Sequence, residues 1–370
     1  MFNFKKKNFA KMDLALAFSI LALVIIGLIT LYSASLNLEY VTIRTQLVST
    51  ILGLVGVGLI LLLDFDFLKK SAKYLYALSI VLMVLVNIFG KGAEDWGSDN
   101  WLVLGPISFQ PSEFVKLFLI ITTARLMEKN YENINKPLTL LKVLTISFIP
   151  VLLILKEDFG QALVASVIIL TMVFAGGLSL KYIGAGMGLG IISMPFMYKS
   201  LADYQKERLL NFLNPSRDIG GTGLQANQGK IAIGSGKFWG RGLFKGVQTQ
   251  NNFIPEKHTD FIFPVLAEEL GFVGVSLVLG LYGLMLYRVL AAAKSAKDIF
   301  SSMVSVGVFA LFFVHIFENI GMTLGLMPVT GIPLPLFSLG GTSQLVNLLA
   351  LGLVLSSRIE RSALEFASYD

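Results

Sequence analysis

Long apolar blocks separated by short polar stretches run the length of this chain. They lie near 13–34, 46–63, 72–90, 111–127, 139–155, 159–177, 181–199, 262–287, 301–325 and 341–357. Each is close to the roughly 20 residues an α-helix needs to cross a hydrocarbon layer of roughly 30 Å. The pattern predicts an all-α polytopic membrane protein of about ten transmembrane helices, with residues 1–370 forming one membrane domain. The first block is too long for a cleaved signal peptide and lacks a clear small-residue cleavage site. No internal repeat, low-complexity tract or linker divides the chain.

Three segments break the apolar pattern. Residues 91–110 hold Trp96 and Trp101 and turn back at Gly105-Pro106. Residues 200–261, rich in glycine and polar residues, are expected to form a large extracytoplasmic loop. The stretch from Gly325 to Gly341 carries Pro328, Pro333 and Pro335 among four glycines, which forbids a regular helix. Because that stretch is apolar, it is expected to re-enter the membrane. Non-helical backbone survives there only when buried in protein or lining a wet cavity.

Composition narrows the class further. The chain is 55% hydrophobic and 15% charged, with a mean hydropathy of +0.73, which excludes a soluble domain. The net charge of +6 fits membrane association and gives no reason to expect a nucleic-acid partner. Zero cysteines exclude disulfide and thiol chemistry.

Charge also sets orientation. With the N-terminus inside, the inner segments carry Lys5, Lys6, Lys7, Lys11, Lys69, Lys70, Lys73, Arg125, Lys129, Arg288 and Arg358, among others. The outer loops up to residue 160 hold only Arg44, Lys91 and Lys156. That asymmetry predicts a multi-pass protein of the cytoplasmic membrane with both termini cytoplasmic. The exception is the outer segment 199–261, whose basic residues include Lys206, Arg208, Arg217, Lys230, Lys237, Arg241 and Lys245. Either the loop is simply solvated, or an anionic ligand binds there.

The candidate chemistry gathers on the same outer side. Asn252 to Pro264 brings Glu256, His258, Thr259 and Asp260 to the edge of an apolar block, where a carboxylate must be paired, hydrated or used. Asp260 either caps the helix that follows or acts in a reaction. Glu113 and Lys116 share a helix face, as a pair shaping a cavity or as an ion pair that lets the helix insert. Ser112 is a plausible cap and Pro111 a helix start. Asp158 reads as another helix start. His315, Glu318 and Asn319 are expected to form a buried hydrogen-bonded cluster, and Glu268 and Glu269 to pair with Arg or Lys. Outer-facing carboxylates could hold a divalent cation such as Mg²⁺, though no spacing resembles a dedicated metal cage.

Taken in order, several motifs resemble the shape, elongation, division and sporulation family of membrane glycosyltransferases. They are Phe109-Gln110-Pro111-Ser112-Glu113 through Lys116, Ile231 to Gly236, Thr249-Gln250, Pro255 to Phe263, Glu268 to Gly271, and Thr330 to Pro335 with Ser338 and Gly340-Gly341. The resemblance covers roughly residues 12–360, and Thr249-Gln250 favours the elongation branch over the division branch. Asn100, Gly229 and Lys237 depart from the usual pattern. The resemblance implies polymerisation of lipid II, an undecaprenyl-pyrophosphate-linked disaccharide-peptide, on the outer face. It implies Asp260 as the catalytic carboxylate, and Glu113, Lys116, Lys237, Arg241, Lys245, His258, Thr259 and Ser338 as substrate-binding candidates. A class B penicillin-binding protein, a single-span transpeptidase, is the implied partner. The donor linkage is α and the product β, so a single inverting displacement needs no second carboxylate. Two other classes stay open, a lipid flippase or transporter and a membrane scaffold for a transpeptidase.

Overall fold

The computed structural model describes residues 12–36, 41–92, 100–104, 107–200, 203–213 and 221–367. Every apolar block falls on a helix: α1 (Leu14–Ala34), α2 (Val41–Leu62), α3 (Phe65–Phe89), α4 (Pro111–Asn130), α5 (Pro137–Glu157), α6 (Phe159–Ala175), α7 (Leu180–Ser200), α11 (Ile262–Lys294), α12 (Ile299–Thr323) and α13 (Gly341–Ala367). A short antiparallel hairpin of β1 (Leu102–Leu104) and β2 (Ile107–Phe109) precedes α4. Three further helices, α8 (Asp203–Leu213), α9 (Thr222–Gly236) and α10 (Val247–Gln250), lie between α7 and α11. Trp96, the Gly105-Pro106 turn, Lys5, Lys6, Lys7, Lys11 and Arg217 lie outside the described residues.

Among the described residues, seven helices are long and apolar enough to cross a membrane: α1, α2, α3, α5, α11, α12 and α13. The helix α6 is shorter. The helix α4 carries Glu113, Lys116, Arg125, Glu128 and Lys129, and it buries Glu113 and Lys116 inside the bundle. Its start differs from the expected one. Pro111 takes the first helical position, so the cap position falls to Gln110, and the Ser112 hydroxyl has no partner.

Polar contacts at both ends hold α1 against α11. Asp13 caps α1 by accepting from Leu16 N at 3.1 Å and is gripped by Arg288 at 2.8–3.0 Å and Arg358 at 3.4 Å. At the other end the Ser33 hydroxyl donates to Glu269 Oε1 at 2.6 Å. About 30 Å of helix separates the two contacts on each partner, at 1.5 Å per residue, which matches one hydrocarbon thickness. The Asp13 end also holds Lys69, bonded to Glu128 at 2.8 Å and Asp298 at 2.5 Å, and the Arg125–Glu128 pair. Four of the basic residues that set the charge asymmetry are therefore tied into ion pairs.

The stretch 325–340 is irregular, and Ile332, Leu334, Leu336 and Phe337 are buried. Tyr282 of α11 donates its hydroxyl to Pro335 O at 2.5 Å, and Gln46 of α2 bridges Ser338 O and Gly340 N at 3.1 and 3.0 Å. A Cβ on Gly27 of α1 would lie 2.3 Å from Leu336 O, so only glycine allows that approach. Gly27 is seven residues before the end of α1, so the stretch descends about 10 Å along it. It is buried in protein, one of the two situations in which non-helical backbone is tolerated at depth.

The helix α11 is interrupted. Gly271 adopts φ 63°, ψ −165°, a conformation essentially reserved for glycine. Four backbone bonds to the loop after α9 staple the break: Arg241 N and Gly242 N donate to the carbonyls of Glu268 and Glu269, and Phe272 N and Val273 N donate to those of Lys237 and Phe238.

Candidate active site

A tight turn presents Asp260. Glu256 adopts a left-handed φ of 51°, and its carbonyl accepts from Thr259 N at 3.2 Å and Phe261 N at 3.1 Å. The Thr259 hydroxyl donates to the Glu256 carboxylate at 2.8 Å. Buried Phe261 anchors one end, and Lys257 anchors the middle by donating its ammonium to Thr249 O at 2.6 Å. The His258 carbonyl accepts from Leu339 N at 2.8 Å, and burial holds its imidazole below the usual histidine range. One amide nitrogen, Asn319 Nδ2 of α12, donates to Asp260 O and Ile332 O, each at 2.8 Å. The turn is thereby fastened to the irregular stretch. Gly331 (φ 81°) leaves room for the Asp260 carboxylate, since a Cβ there would come within 3.3 Å of Oδ2.

No described residue donates a hydrogen bond to the Asp260 carboxylate. Burial, reinforced by the charges of Glu256 and Asp158, pushes its pKa up to about 7, against the opposing pull of Arg208. Asp158 caps α6 by accepting from Gln161 N at 3.0 Å and also accepts from Asn100 Nδ2 at 3.2 Å. Burial raises its pKa, while Gln161, Lys116 and Arg208 lower it. The expected helix-start role is present, yet the same side chain faces Asp260 electrostatically. Arg208 of α8 donates to Thr330 O at 3.2 Å. With Lys230 of α9, Asn211, Phe212 and Val329 it lines a small pocket open to the surface.

Below this turn lies a saturated polar knot. Lys116 is fully buried and donates to Glu113 at 2.9 Å, Gln161 at 2.5 Å and His315 Nε2 at 3.1 Å. His315 Nδ1 lies 2.7 Å from Leu311 O, so the proton belongs on Nδ1 and Nε2 is the acceptor. All three ammonium hydrogens are used, and α4, α6 and α12 are joined. The expected cluster of His315, Glu318 and Asn319 is thus divided between two networks, His315 in the knot and Asn319 under the turn.

The remaining sequence candidates sit elsewhere. Glu268 is fully buried and accepts from Gln248 N, Thr249 N, the Thr249 hydroxyl and the Ser235 hydroxyl at 2.8–3.3 Å, with Arg241 Nε only at 4.0 Å. It pairs with backbone and hydroxyl donors rather than chiefly with a cation, because the start of α10 points its N–H groups there. Glu269 accepts from the Ser33 hydroxyl and Gln250. Lys237, Arg241 and Lys245 lie on the loop stapled to the Gly271 break, and the charged neighbours of Asp260 are instead Glu256, Arg208 and Asp158. The Ser338 hydroxyl accepts from Leu334 N at 2.8 Å within its own buried turn, so it faces inward rather than toward a ligand. The sequence gives no special place to Arg208, Lys230 or the pairing of Asn319 with Asp260. Arg208 and Lys230 stood out only as basic residues in an outer loop that breaks the charge asymmetry. Among the described residues, no three His, Asp or Glu side chains are grouped so as to hold a metal ion.

The cell cycle protein family of FtsW, RodA and SpoVE matches residues 14–363. The chain is 35% identical over 367 residues to the peptidoglycan glycosyltransferase MrdB of Escherichia coli K12, covering 98% of each. Its fold is similar to a chain of a peptidoglycan synthase complex solved to show structural coordination of polymerization and crosslinking, with a TM-score of 0.82, 34% identity, and 95% and 98% of the two chains covered. It is also similar to the rod shape determining protein RodA of Thermus thermophilus, at a TM-score of 0.71 and 31% identity over 96% and 99%. With its long apolar helices and this match over nearly its whole length, the chain is a multi-pass membrane protein and belongs to the FtsW/RodA/SpoVE family of cell cycle proteins.

Proposed function

We propose that this protein is a peptidoglycan glycosyltransferase of cell elongation that joins lipid II units into glycan strands on the outer face of the cytoplasmic membrane. The observation that carries the reading is Asp260, a carboxylate to which no described residue donates, whose pKa burial pushes up to about 7 against the pull of the Arg208 charge. A sugar hydroxyl is a weak nucleophile. A base with a pKa near the working pH removes its proton as the bond to the anomeric carbon forms, worth about 10²–10⁴ in rate. The bond from the anomeric carbon to the diphosphate breaks in the same displacement, inverting the configuration, and the diphosphate leaves with the electron pair. Arg208 and Lys230, which share one pocket, would receive that charge. A divalent cation such as Mg²⁺ would enter on the diphosphate oxygens rather than on a protein cage.

The relative found in a complex that couples polymerization with crosslinking supports a transpeptidase partner, a class B penicillin-binding protein. The charge asymmetry supports cytoplasmic termini with 200–261 outside. Purified Asp260→Asn protein, given labelled lipid II in detergent, tests the reading. The cap position of α11 falls to Phe261 and Asp260 makes no cap bond, so the isosteric Asn should leave the fold intact, and a folded variant with polymerisation reduced by about 10²-fold or more is expected. Near-parental glycan synthesis removes Asp260 from the chemistry. A parental protein that makes no glycan without a vesicle barrier returns the reading to a flippase or a scaffold.

A further inference from the structure

The basic residues set apart from Asp260 form a surface of their own. From Gly236 to Pro255 there is no carboxylate, while Lys237, Arg241 and Lys245 are exposed. Around them stand Trp239 at 77% exposure and the outward Phe238, Phe244 and Phe272. Phe238 meets Trp239 edge-on at 5.1 Å and stacks on Phe272 at 5.8 Å, and Phe244 packs edge-on against Tyr32 of α1 at 5.8 Å. The nearest acid, Glu268, is buried and taken up by four hydrogen bonds.

The loop that carries this surface is held at conformational cost. Lys237 and Phe244 adopt left-handed φ values of 50° and 64°, which glycine would adopt without strain. The staple to the Gly271 break fixes the loop's height. That height is known from the bundle, because Ser33 bonded to Glu269 marks one end of a span about 30 Å long. Tyr32, Phe244 and Phe272 stand at that same level, where hydrocarbon gives way to headgroups and where aromatic residues collect in membrane proteins. Three exposed cations beside exposed aromatic rings at this level match the phosphodiester and acyl boundary of a phospholipid.

We infer that the 237–245 loop, with Phe272 and Tyr32, is a docking surface for anionic phospholipid headgroups of the adjacent leaflet. It holds the loop, and through the staple the break in α11, at the membrane boundary. The inference rests on the membrane reading and not on the chemistry at Asp260.

Trp239 provides the probe. A Trp96→Phe, Trp101→Phe protein leaves it as the sole tryptophan. That protein is reconstituted, without lipid II, in phosphatidylcholine vesicles containing a minor fraction of lipid brominated near the carbonyl, as phosphatidylglycerol or as phosphatidylcholine. Quenching by the brominated phosphatidylglycerol is expected to exceed that by phosphatidylcholine by about threefold, given the attraction of three basic residues to an anionic lipid. The Lys237→Gln, Arg241→Gln, Lys245→Gln variant should lose that preference while keeping the weaker quenching by phosphatidylcholine. Equal quenching by both lipids in the parent overturns the headgroup site. Quenching by neither places Trp239 in water and overturns the docking surface. A preference that persists in the triple variant also overturns the role assigned to these cations.

Discussion

Glu268 and Asp260 stand two helical turns apart at the same end of α11, yet they are handled in opposite ways. Glu268 accepts four hydrogen bonds and is fully buried, with its charge spread over the start of α10. Asp260 receives none from the described residues, while its backbone carbonyl is held by Asn319. A carboxylate that holds loops together has its lone pairs filled. One kept for proton transfer has them open and a pKa moved toward neutrality. Glu268 is sealed from solvent, whereas Asp260 is only half-buried.

The sharpest break of this comparison is a pair of substitutions, one at each carboxylate. Asp260→Asn should cost about 10²-fold or more in polymerisation with little change in thermal unfolding. Glu268→Ala should do the reverse. It strands the Gln248 and Thr249 donors, costing about 3 kcal/mol or more, and lowers the unfolding temperature at both neutral and acidic pH. Comparable activity losses at unchanged stability for the two variants would abolish the distinction.

The Lys116 knot extends the test to a second saturated site. Lys116→Met leaves Glu113 buried and unpaired, a loss of about 3–5 kcal/mol, read as a lower denaturation midpoint in detergent. If Glu113→Gln combined with Lys116→Met does not recover part of that loss, the pair is not the source. Gly271→Ala is a milder case of the same kind. A Cβ there would lie 2.2 Å from Gly240 N, and strain of about 1–3 kcal/mol is expected in circular-dichroism melts.

A finer test is the pH profile. Asp260 works as a base only when ionised, so activity should rise through about pH 7. Stability has the opposite sign. The folded state holds a proton that the unfolded chain releases near pH 4, so this group's contribution is lost as pH rises from about 4 to about 7 and is flat above. The smallest shift is that of the pH limb in Arg208→Gln, read separately from the loss of rate that removing a cation for the leaving diphosphate brings. Removing a charge that lowers the Asp260 pKa should move the rising limb of the activity profile to higher pH. An unmoved limb would show that the limb does not report Asp260.

The helices were legible because crossing a bilayer demands a length of apolar sequence that few other constraints produce. Glu113 with Lys116 was legible because three residues of helix place both on one face. The partners of Asp260 were not. Asp158, Arg208 and Asn319 come from α6, α8 and α12, and only the folded chain brings them to the turn. Ser338 was misleading for a related reason, since a serine in a proline- and glycine-rich stretch serves its own turn as readily as a ligand. The break at Gly271 left no mark in the hydropathy pattern, because backbone bonds from a loop more than twenty residues upstream compensate it.

The two polar contacts that fasten α1 to α11 have a mechanical consequence. Two rods pinned at both ends cannot slide past each other, so the pair has one fixed apolar length. A thicker or thinner bilayer must then be met by tilting the pair as a unit or by deforming the lipid around it. Any tilt moves Glu269, and with it the stapled break, relative to the phosphate plane. Bilayer thickness therefore acts on this protein as a lever arm.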